Sequence, residues 1–531
     1  MQSIIDERGN MMSVDKVQIL IAMCIYVSVV IAIGLYYAKR ASQSSDNYLI
    51  GGRSLGPWVT AMGAEASDMS GWLLMGLPGV AYWCGLSDAV WTAIGLFIGT
   101  YLNWLFVAKR LRGYSKIASD SITIPDFFSN RFKENKKIIS TIAAVFILIF
   151  FTVYAASCFV TVGKLFSTLF DTSYFIMMII GALFVVFYTF IGGFLAESAS
   201  DFMQGIVMFI SLIAVLIIGI STAGGISSVI NNAKTIPGFL DFFGIAKPTV
   251  VDGVQQLAAA GKPLFGEAGK YGWLTIISTL SWGLGYFGMP HVLLKFMAIE
   301  QPSKLKLSRR VATVWCAISL TAAVAIGIIG RVLYPEALLT KSSSESVFIL
   351  LSMEFLVPIF AGFVMAGILA ATISSSDSYL LISASAFSKS IYHSVMKKDA
   401  NDKQVLKMTR ITLLVISAIA VLIALDENSV IFEVVSFAWA GFGATFGPLM
   451  LFSLFWKRTT RSGAIAGMLS GGIMVFVWYW LIKPIGGAFG IYELLPAFLV
   501  SCIAIVVVSL LSKAPSDEIK KEFELAKTFE G

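Results

Sequence analysis

Two acidic residues, Glu65 and Asp68, lie inside the apolar segment 64–79 (AEASDMSGWLLMGLPG), which a Gly-Leu-Pro-Gly sequence then interrupts. A charged side chain at membrane depth costs roughly 3 kcal/mol or more, and a broken helix leaves backbone groups that hydrocarbon cannot satisfy. The two features occur together where a discontinuous helix faces a water-filled binding site. The segment therefore predicts a site through which an ion or a polar solute is transported.

A second apolar segment, 281–291 (SWGLGYFGMPH), is interrupted by three glycines and Pro290, five apolar runs after the first. Two Gly/Pro-broken segments in corresponding positions of two halves are typical of inverted-repeat transporters, which bind their substrates between the repeats. The alternative is that the glycines only ease tight helix packing. The Gly-x-Gly-x-x-Gly spacing at 283–288 also matches the dinucleotide fingerprint, but that fingerprint requires a βαβ unit rather than a membrane span.

A serine-rich stretch, AATISSSDS (370–378), lies in the ninth apolar run. Sodium is a hard cation, and such ions prefer about six oxygen ligands. The hydroxyls of Ser374 and Ser375 can supply two, and the carbonyl of Ala371 lies one turn earlier. The alternative for the cluster is hydrogen bonding between helices. The stretch predicts a sodium site beside a broken helix.

Four aromatic residues at or near the breaks could line a small organic solute: Trp72, Tyr154, Trp282 and Tyr286. Their faces suit a compact apolar body or an ammonium group, through stacking and cation–π contact. Because aromatic residues make up 13% of the chain, any single one is more often packing or interfacial belt. Their position beside the breaks distinguishes these four.

A pair of acids, Glu197 and Asp201, lies at the start of the sixth apolar run and shares one helical face. The pair predicts either an ion path or a solvated loop end. The two histidines, His291 and His393, are far apart, and the sequence contains no Ser/His/acid or metal-hydrolase pattern. An enzyme is therefore not expected.

The composition indicates a membrane protein, because 57% of the 531 residues are hydrophobic and only 13% are charged. Soluble domains carry about 25% charged residues. Apolar runs of about 20 residues, enough to cross a ~30 Å hydrocarbon core, recur from end to end. We count thirteen such runs, at 17–37, 57–84, 86–108, 137–163, 173–191, 202–224, 271–295, 310–334, 347–387, 408–425, 430–456, 463–482 and 490–511. The ninth is overlong and is expected to bend or to continue past the bilayer. We expect an all-α multi-spanning protein.

The positions of the two breaks predict a single transporter domain over 1–531 with a five-plus-five inverted repeat. Its expected parts are a peripheral first helix (17–37), a first repeat (57–224), an outside loop (225–270), a second repeat (271–456), peripheral last helices (463–511) and a loose cytoplasmic tail (512–531). The outside loop is expected to cover the outer face as a short helix or lid. The basic connection 109–136, which contains ITIPDFF, predicts a short interfacial helix.

Most of the 39 Lys and Arg residues fall in connections that face the cytoplasm if the N-terminus is outside. The positive-inside rule then predicts an external N-terminus, an internal C-terminus and an odd number of spans. The net charge of +7 is thus a signal of membrane topology rather than of nucleic-acid binding.

The chain resembles the sodium:solute symporter family over nearly its full length. The resemblance is carried by YLIGGRSLGPWVTAMGAEASDMSGWLLMGLPG (48–79), FFTVYAASC (150–158), YTFIGGFLA (188–196), SWGLGYFGMPHVLLKFMA (281–298), AGILAATISSSDS (366–378) and SFAWAGFGATFGPLMLFS (436–453). It implies thirteen helices, N-out and C-in, around a five-plus-five inverted repeat with discontinuous helices, as in the leucine transporter.

The resemblance also implies roles for individual residues. Sodium would be held by backbone oxygens of Ala66, Met69 and Ala371 and by the hydroxyls of Ser374 and Ser375. Residues linked to sodium coupling would be Asp68, Arg53 and Asp201. Residues that contact the solute would be Trp72, Tyr154, Trp282, Tyr286 and Pro290. Two departures stand out: Ser375 replaces a threonine of some members and keeps the hydroxyl, and Glu65 replaces a glycine and adds a charge without an implied role.

The family members with the most similar motifs carry L-proline. The resemblance therefore implies sodium-coupled uptake of L-proline across the bacterial plasma membrane by alternating access, with sodium co-transported. Neither nucleic acid nor an obligatory protein partner is expected. One alternative is the same machinery for another small solute, namely pantothenate, a sugar or a monocarboxylate. The other is a cation channel, which is disfavoured because the sequence shows two broken helices and no repeated ring of charges.

Overall fold

Long apolar helices make up most of the chain. The computed structural model describes residues 14–41, 53–259 and 261–528, without the side chains of 37–41 and 191–193. The first five residues of the motif 48–79 and the last three of the tail lie outside the described residues. Within the described ranges, ten helices are long and apolar enough to cross a membrane: Val14–Tyr36, Leu86–Ile117, Ile138–Phe170, Phe194–Thr222, Pro302–Leu333, Pro358–Met396, Asp402–Ile423, Ile431–Phe455, Arg461–Ile485 and Leu494–Leu511. The prediction of a helical membrane protein is confirmed.

The apolar run 57–84 forms the first broken helix. Its first half, Pro57–Asp68, ends where Met69 leaves helical backbone (φ −81°, ψ 66°). Its second half, Trp72–Cys84, opens with a π-helical turn. The sequence predicts the break at the Gly-Leu-Pro-Gly of 76–79, and this is wrong, because that sequence is helical. A π-helical turn, Trp72–Gly76, precedes Pro78, and the backbone stays helical on both sides of the proline.

The apolar run 271–295 forms the second broken helix, as predicted. Two α-helical halves, Trp273–Leu280 and Pro290–Ala298, flank a 3₁₀ segment, Ser281–Gly288, and an extended Met289. Glycines in the 3₁₀ segment also permit close packing, since a Cβ at Gly285 would lie 1.9 Å from Nε1 of Trp439. The segment is therefore interrupted, and its glycines also permit close packing between helices.

The apolar runs 173–191 and 202–224 join in one bent helix, Tyr174–Thr222. The Tyr188 hydroxyl lies 2.8 Å from Oγ of Ser200. Twelve residues of straight helix would separate them by about 18 Å along the axis, more than the two side chains can reach. The helix therefore bends between these residues. The sequence predicts two separate spans, whereas the structure connects them without a break in the helix.

The overlong ninth run divides into two helices, Val347–Phe355 and Pro358–Met396. The second of these, which carries the serine-rich stretch, is called the serine helix below. A proline disfavours helical backbone in the residue before it, which explains the interruption ahead of Pro358. The overlong run is therefore interrupted, and the serine helix continues past the apolar run, to Met396.

The segment 225–270 crosses one end of the bundle, called the loop end. It contains the helix Ile226–Ala233 and two antiparallel strand pairs, Gly244–Ile245 with Gly269–Lys270 and Val250–Val251 with Val254–Gln255. Backbone and side-chain hydrogen bonds join it to the helices below, for example from Trp91 Nε1 to the Phe242 carbonyl at 2.8 Å. The expected short helix is present, and the strand pairs are additional. The fold also contains one short helical turn outside this segment, Lys341–Ser344.

The opposite end of the bundle, called the basic end, carries the short helix Ile124–Arg131 in the connection where a short helix is predicted. The tail forms a docked helix, Asp517–Thr528, so the expectation of a loose tail is wrong. Phe523 is 2% exposed, and the guanidinium groups of Arg110 and Arg131 lie 5.0 and 5.4 Å from its ring centre. This apolar residue and its arginine partners hold the tail against the bundle.

Candidate functional site

The two broken helices meet at Asp68. Its Oδ2 accepts a hydrogen bond from the Tyr286 hydroxyl at 2.7 Å, and its Oδ1 lies 3.3 Å from Nε2 of His291. Asp68 ends the first half of one broken helix, whereas Tyr286 lies in the 3₁₀ segment of the other and His291 in the half-helix that follows it. A single carboxylate, fully buried, therefore joins both interruptions.

The first break exposes carbonyl oxygens to side chains rather than to a further helical turn. The carbonyl of Asp68 accepts from Trp72 Nε1 at 3.3 Å and from the Tyr154 hydroxyl at 3.4 Å. The carbonyl of Ser67 accepts from the Tyr379 hydroxyl at 3.1 Å. The carbonyl oxygens at the end of this half-helix thus accept hydrogen bonds from one indole N–H and two tyrosine hydroxyls.

The serine helix lies beside the first break. Oγ of Ser375 lies 3.5 Å from the carbonyl oxygen of Ala66, and Ser374 donates to Oδ1 of Asp201 at 2.7 Å. The other two residues that the resemblance assigns to sodium lie close along the chain, Met69 at the break and Ala371 one turn before Ser375 in an uninterrupted helix. All five are fully buried. Hydroxyls and carbonyls are donors that suit a hard cation.

A buried ion-pair cluster also adjoins the serine helix. Nζ of Lys295 lies 2.9 Å from Oε1 of Glu197 and 2.9 Å from Oδ2 of Asp201. Both acids are at most 3% exposed, so the alternative of a solvated loop end is wrong. The prediction omits Lys295 and His291. The sequence does carry a signal for both residues, because an ionisable residue in an apolar span marks a functional site by default.

The predicted aromatic residues lie in two groups around the breaks. The rings of Trp72 and Trp282 are 6.3 Å apart, and Trp282 also contacts Phe432 at 5.2 Å and Tyr492 at 5.1 Å. Tyr154 and Tyr286, as above, both bond to Asp68. The four predicted aromatics are at most 4% exposed, so solvent hardly reaches these rings. Phe432 comes from the helix Ile431–Phe455 and Tyr492 from the connection before Leu494–Leu511, and neither could be chosen from its sequence context.

Pro290 is buried at the start of its half-helix, next to His291. Arg53 lies at the basic end, away from the serine helix. It donates to the carbonyls of Met297 and Ser121, each at 2.6 Å, and to the carboxylate of Asp120 at 3.1 Å. Burial lowers the pKa of the Arg53 guanidinium, and Asp120 opposes that shift. Arg53 thus ties the end of the second broken helix to a neighbouring connection.

Glu65 lies one turn before Asp68 and is 2% exposed. Its Oε1 accepts a hydrogen bond from Trp104 Nε1 at 3.3 Å. The carboxyl group therefore links the first broken helix to the helix Leu86–Ile117, beside the site rather than within the contacts of Asp68.

Solved structures with a similar fold include a sodium-coupled symporter and a transporter of the nucleobase-cation-symport-1 family. A sodium-coupled sialic acid symporter, in a substrate-bound outward-open state, superposes with a TM-score of 0.73, at 18% identity, over 94% of this chain and 99% of that chain. A nucleobase-cation-symport-1 family transporter in a closed conformation superposes with a TM-score of 0.50, at 13% identity, over 90% of this chain and 98% of that chain. These likenesses concern the fold.

The amino-acid sequence itself is similar to that of characterised transporters. The sodium/proline symporter of Staphylococcus aureus strain USA300 / TCH1516 is 40% identical over 506 residues, which cover 94% of this chain and 93% of that protein, and that of strain JH9 gives the same values. A model of the sodium:solute symporter family matches residues 48–471. With most of its length matched, and with two broken helices that meet at a buried carboxylate, the chain belongs to the sodium:solute symporter family.

Proposed function

We propose that this symporter carries L-proline into the bacterial cell together with sodium. The observation that supports this most directly is the junction at Asp68, where a carboxylate, backbone carbonyls outside the helical hydrogen-bond pattern and aromatic rings share one buried site. The similarity to sodium/proline symporters over 94% of the chain supports proline as the solute. The arrangement offers oxygen ligands for sodium and aromatic faces for a compact imino acid.

We assign sodium to the space between the first break and the serine helix. Its ligands would be the residues Ala66, Met69, Ala371, Ser374 and Ser375. Asp68 and Asp201 would contribute negative charge nearby, and Arg53 would act on coupling through the basic end. The solute would lie against Trp72, Tyr154, Trp282, Tyr286 and Pro290, which surround the two interruptions.

Transport would proceed by alternating access. Sodium would draw the first broken helix against the serine helix, where Ala66 and Ser375 already face each other across 3.5 Å. The solute would then close the aromatic pocket between the two breaks. The coupling requires that both ligands bind one state better than the other, because a ligand with equal affinity for two states shifts nothing.

In the membrane, this mechanism requires a defined topology. We propose thirteen spans with the N-terminus outside and the C-terminus inside, so that the loop end faces outward and the basic end faces the cytoplasm of a bacterial plasma membrane. The two repeats would be 57–224 and 271–456, with one broken helix at the start of each. The ten long helices, the two broken ones and the shorter apolar helix Tyr174–Phe190, which is the first half of the bent helix, would make up this number.

The driving force is sufficient for scavenging. For one sodium per proline, a membrane potential of ~100 mV supplies ~2.3 kcal/mol and a tenfold sodium gradient adds ~1.4 kcal/mol. The sum of ~3.7 kcal/mol sustains roughly 500-fold accumulation of the solute.

The proposed function is tested by uptake of labelled proline into proteoliposomes with and without an inward sodium gradient. The proposal is supported if labelled proline accumulates only with sodium and if unlabelled proline suppresses this accumulation. Pantothenate, sugars and monocarboxylates should not suppress it. Suppression by one of the other solutes would reassign the substrate. Sodium current without any solute would indicate a channel.

Trp72→Ala should weaken proline binding by roughly 10-fold to 100-fold, because a buried ring contributes about 1.5–3 kcal/mol of contact. Sodium should still protect the variant from denaturation, since the sodium ligands are elsewhere. The matched control is Trp58→Ala, because Trp58 lies on the same broken helix but is 53% exposed. Calorimetric titration with proline at saturating sodium measures the proline affinity of both variants. Unchanged affinity in the Trp72 variant would place the solute outside this aromatic group.

A further inference from the structure

The side-chain ammonium of Lys295 stands among carboxylates beside the sodium ligands, where a cation from solution could otherwise bind. We propose that Lys295 is a tethered cation that neutralises Glu197 and Asp201 and thereby limits the transporter to one sodium ion per cycle. The proposal rests on the sodium coupling proposed above, and it concerns the number of ions rather than the identity of the solute.

The contacts of Lys295 resemble those of a bound ion. Its Nζ lies 2.9 Å from each of three oxygens, in Glu197, Ser198 and Asp201. The ammonium also lies 4.8 Å from the centre of the Phe194 ring, and the residue is only 1% exposed. All three of its N–H groups are therefore satisfied, and water does not reach it.

This cluster continues directly into the sodium site. Asp201 uses its other oxygen, Oδ1, to accept from Ser374 at 2.7 Å, and Glu197 accepts from Ser378 at 2.5 Å. Ser374 can keep this donated proton and still present oxygen lone pairs to sodium. The charge of Lys295 thus acts on the sodium ligand Ser374 through one intervening carboxylate, which makes Lys295 a positioning residue.

The cluster is rich in negative charge without Lys295. Asp377 lies on the serine helix and is 2% exposed. Its Oδ1 accepts a hydrogen bond from the backbone N–H of Ser378. Its Oδ2 and the Oε2 of Glu197 are buried without a hydrogen-bond partner. Uncompensated carboxylates in a buried site attract a cation strongly. With Lys295 in place, a second sodium ion here would meet the ammonium at close range and be repelled.

Methionine is the informative replacement, because its unbranched apolar side chain has the same number of atoms as lysine up to Cε, with sulfur in place of Cδ, and lacks the ammonium group. Lys295→Met therefore leaves an ion-sized space among the same oxygens. We expect the Hill coefficient for sodium to rise from about 1 to about 2. Binding of radioactive sodium to purified protein at saturating proline should double, and the ratio of sodium to proline taken up by proteoliposomes should double with it.

Three further variants make the test specific. Lys295→Arg keeps the charge and should keep the single-ion ratio. The double variant Lys295→Met with Glu197→Gln removes one positive and one negative charge, and it should return the ratio to the wild-type value. Lys164→Met is the matched control, since it also removes a buried ammonium, 2.9 Å from Glu345, but at a distance from the serine helix; its ratio should not change.

The outcomes separate this proposal from the proposed function. If the wild-type protein neither binds nor transports sodium, the proposed function fails. If it couples to one sodium, and Lys295→Met still couples to one, the tethered-cation proposal is overturned while the function stands. If Lys295→Met does not fold, the wild-type ratio still decides, because two sodium ions per proline in the wild type overturn the proposal.

Discussion

Asp68→Asn should abolish proline uptake at ordinary sodium concentrations. The substitution keeps the size of the side chain and leaves an oxygen for Tyr286 or His291, so it removes mainly the negative charge. Losing one partner of a buried charge pair costs about 3–5 kcal/mol. If sodium is the partner, its affinity should fall by roughly 100-fold or more.

The measurement is the sodium concentration that gives half-maximal proline uptake. Asp88→Asn serves as the control, because Asp88 also accepts a tyrosine hydroxyl, from Tyr271 at 2.8 Å, but at the loop end. The control should transport with a nearly unchanged sodium requirement. Equal sodium requirements for both variants would show that the charge at the junction of the breaks has no part in ion binding.

Ser374→Ala should raise the half-maximal sodium concentration by roughly 10-fold to 100-fold. A hydroxyl that contacts a charged group contributes about 1.5–3 kcal/mol, and this variant loses both an ion ligand and the donor to Asp201. Proline affinity at saturating sodium should change far less, because the aromatic contacts remain intact.

Ser376→Ala is the matched control for this variant. Ser376 lies on the same helix and is equally buried, but its hydroxyl donates to the Thr372 carbonyl of its own helix. Uptake measured across a sodium titration compares the two. Wild-type activity of the Ser374 variant at low sodium would remove that residue from the ion site.

The sequence predicts the broken helices better than the exact point where each breaks. Glycine and proline indicate an interruption, but the backbone stays helical on both sides of Pro78, and the chain unwinds at Met69 instead. The second break follows its glycines because the 3₁₀ segment must pass close to Trp439. Local propensity thus identifies the segment, and packing against neighbouring helices selects the residue.

Side-chain partners from distant parts of the chain are the least predictable part of the site. Asp68 stands out as an acid in an apolar run, but its bonds to Tyr286 and His291 depend on how two helices cross. In the sequence, Lys295 is only a charged residue near the end of an apolar run. In the structure, the bent helix places Glu197 and Asp201 next to it. The docked tail is a similar case, since its buried Phe523 and its ion pairs with Lys133 involve residues far apart in the chain.

The central claim is that sodium and the solute share one site formed by the two breaks. Calorimetric titration of the purified protein with proline at several sodium concentrations, and with sodium at several proline concentrations, tests it. Sodium should raise the affinity for proline, and proline should raise the affinity for sodium by the same factor, because coupling between two sites is reciprocal. Affinities for each ligand that are independent of the other would contradict a shared site.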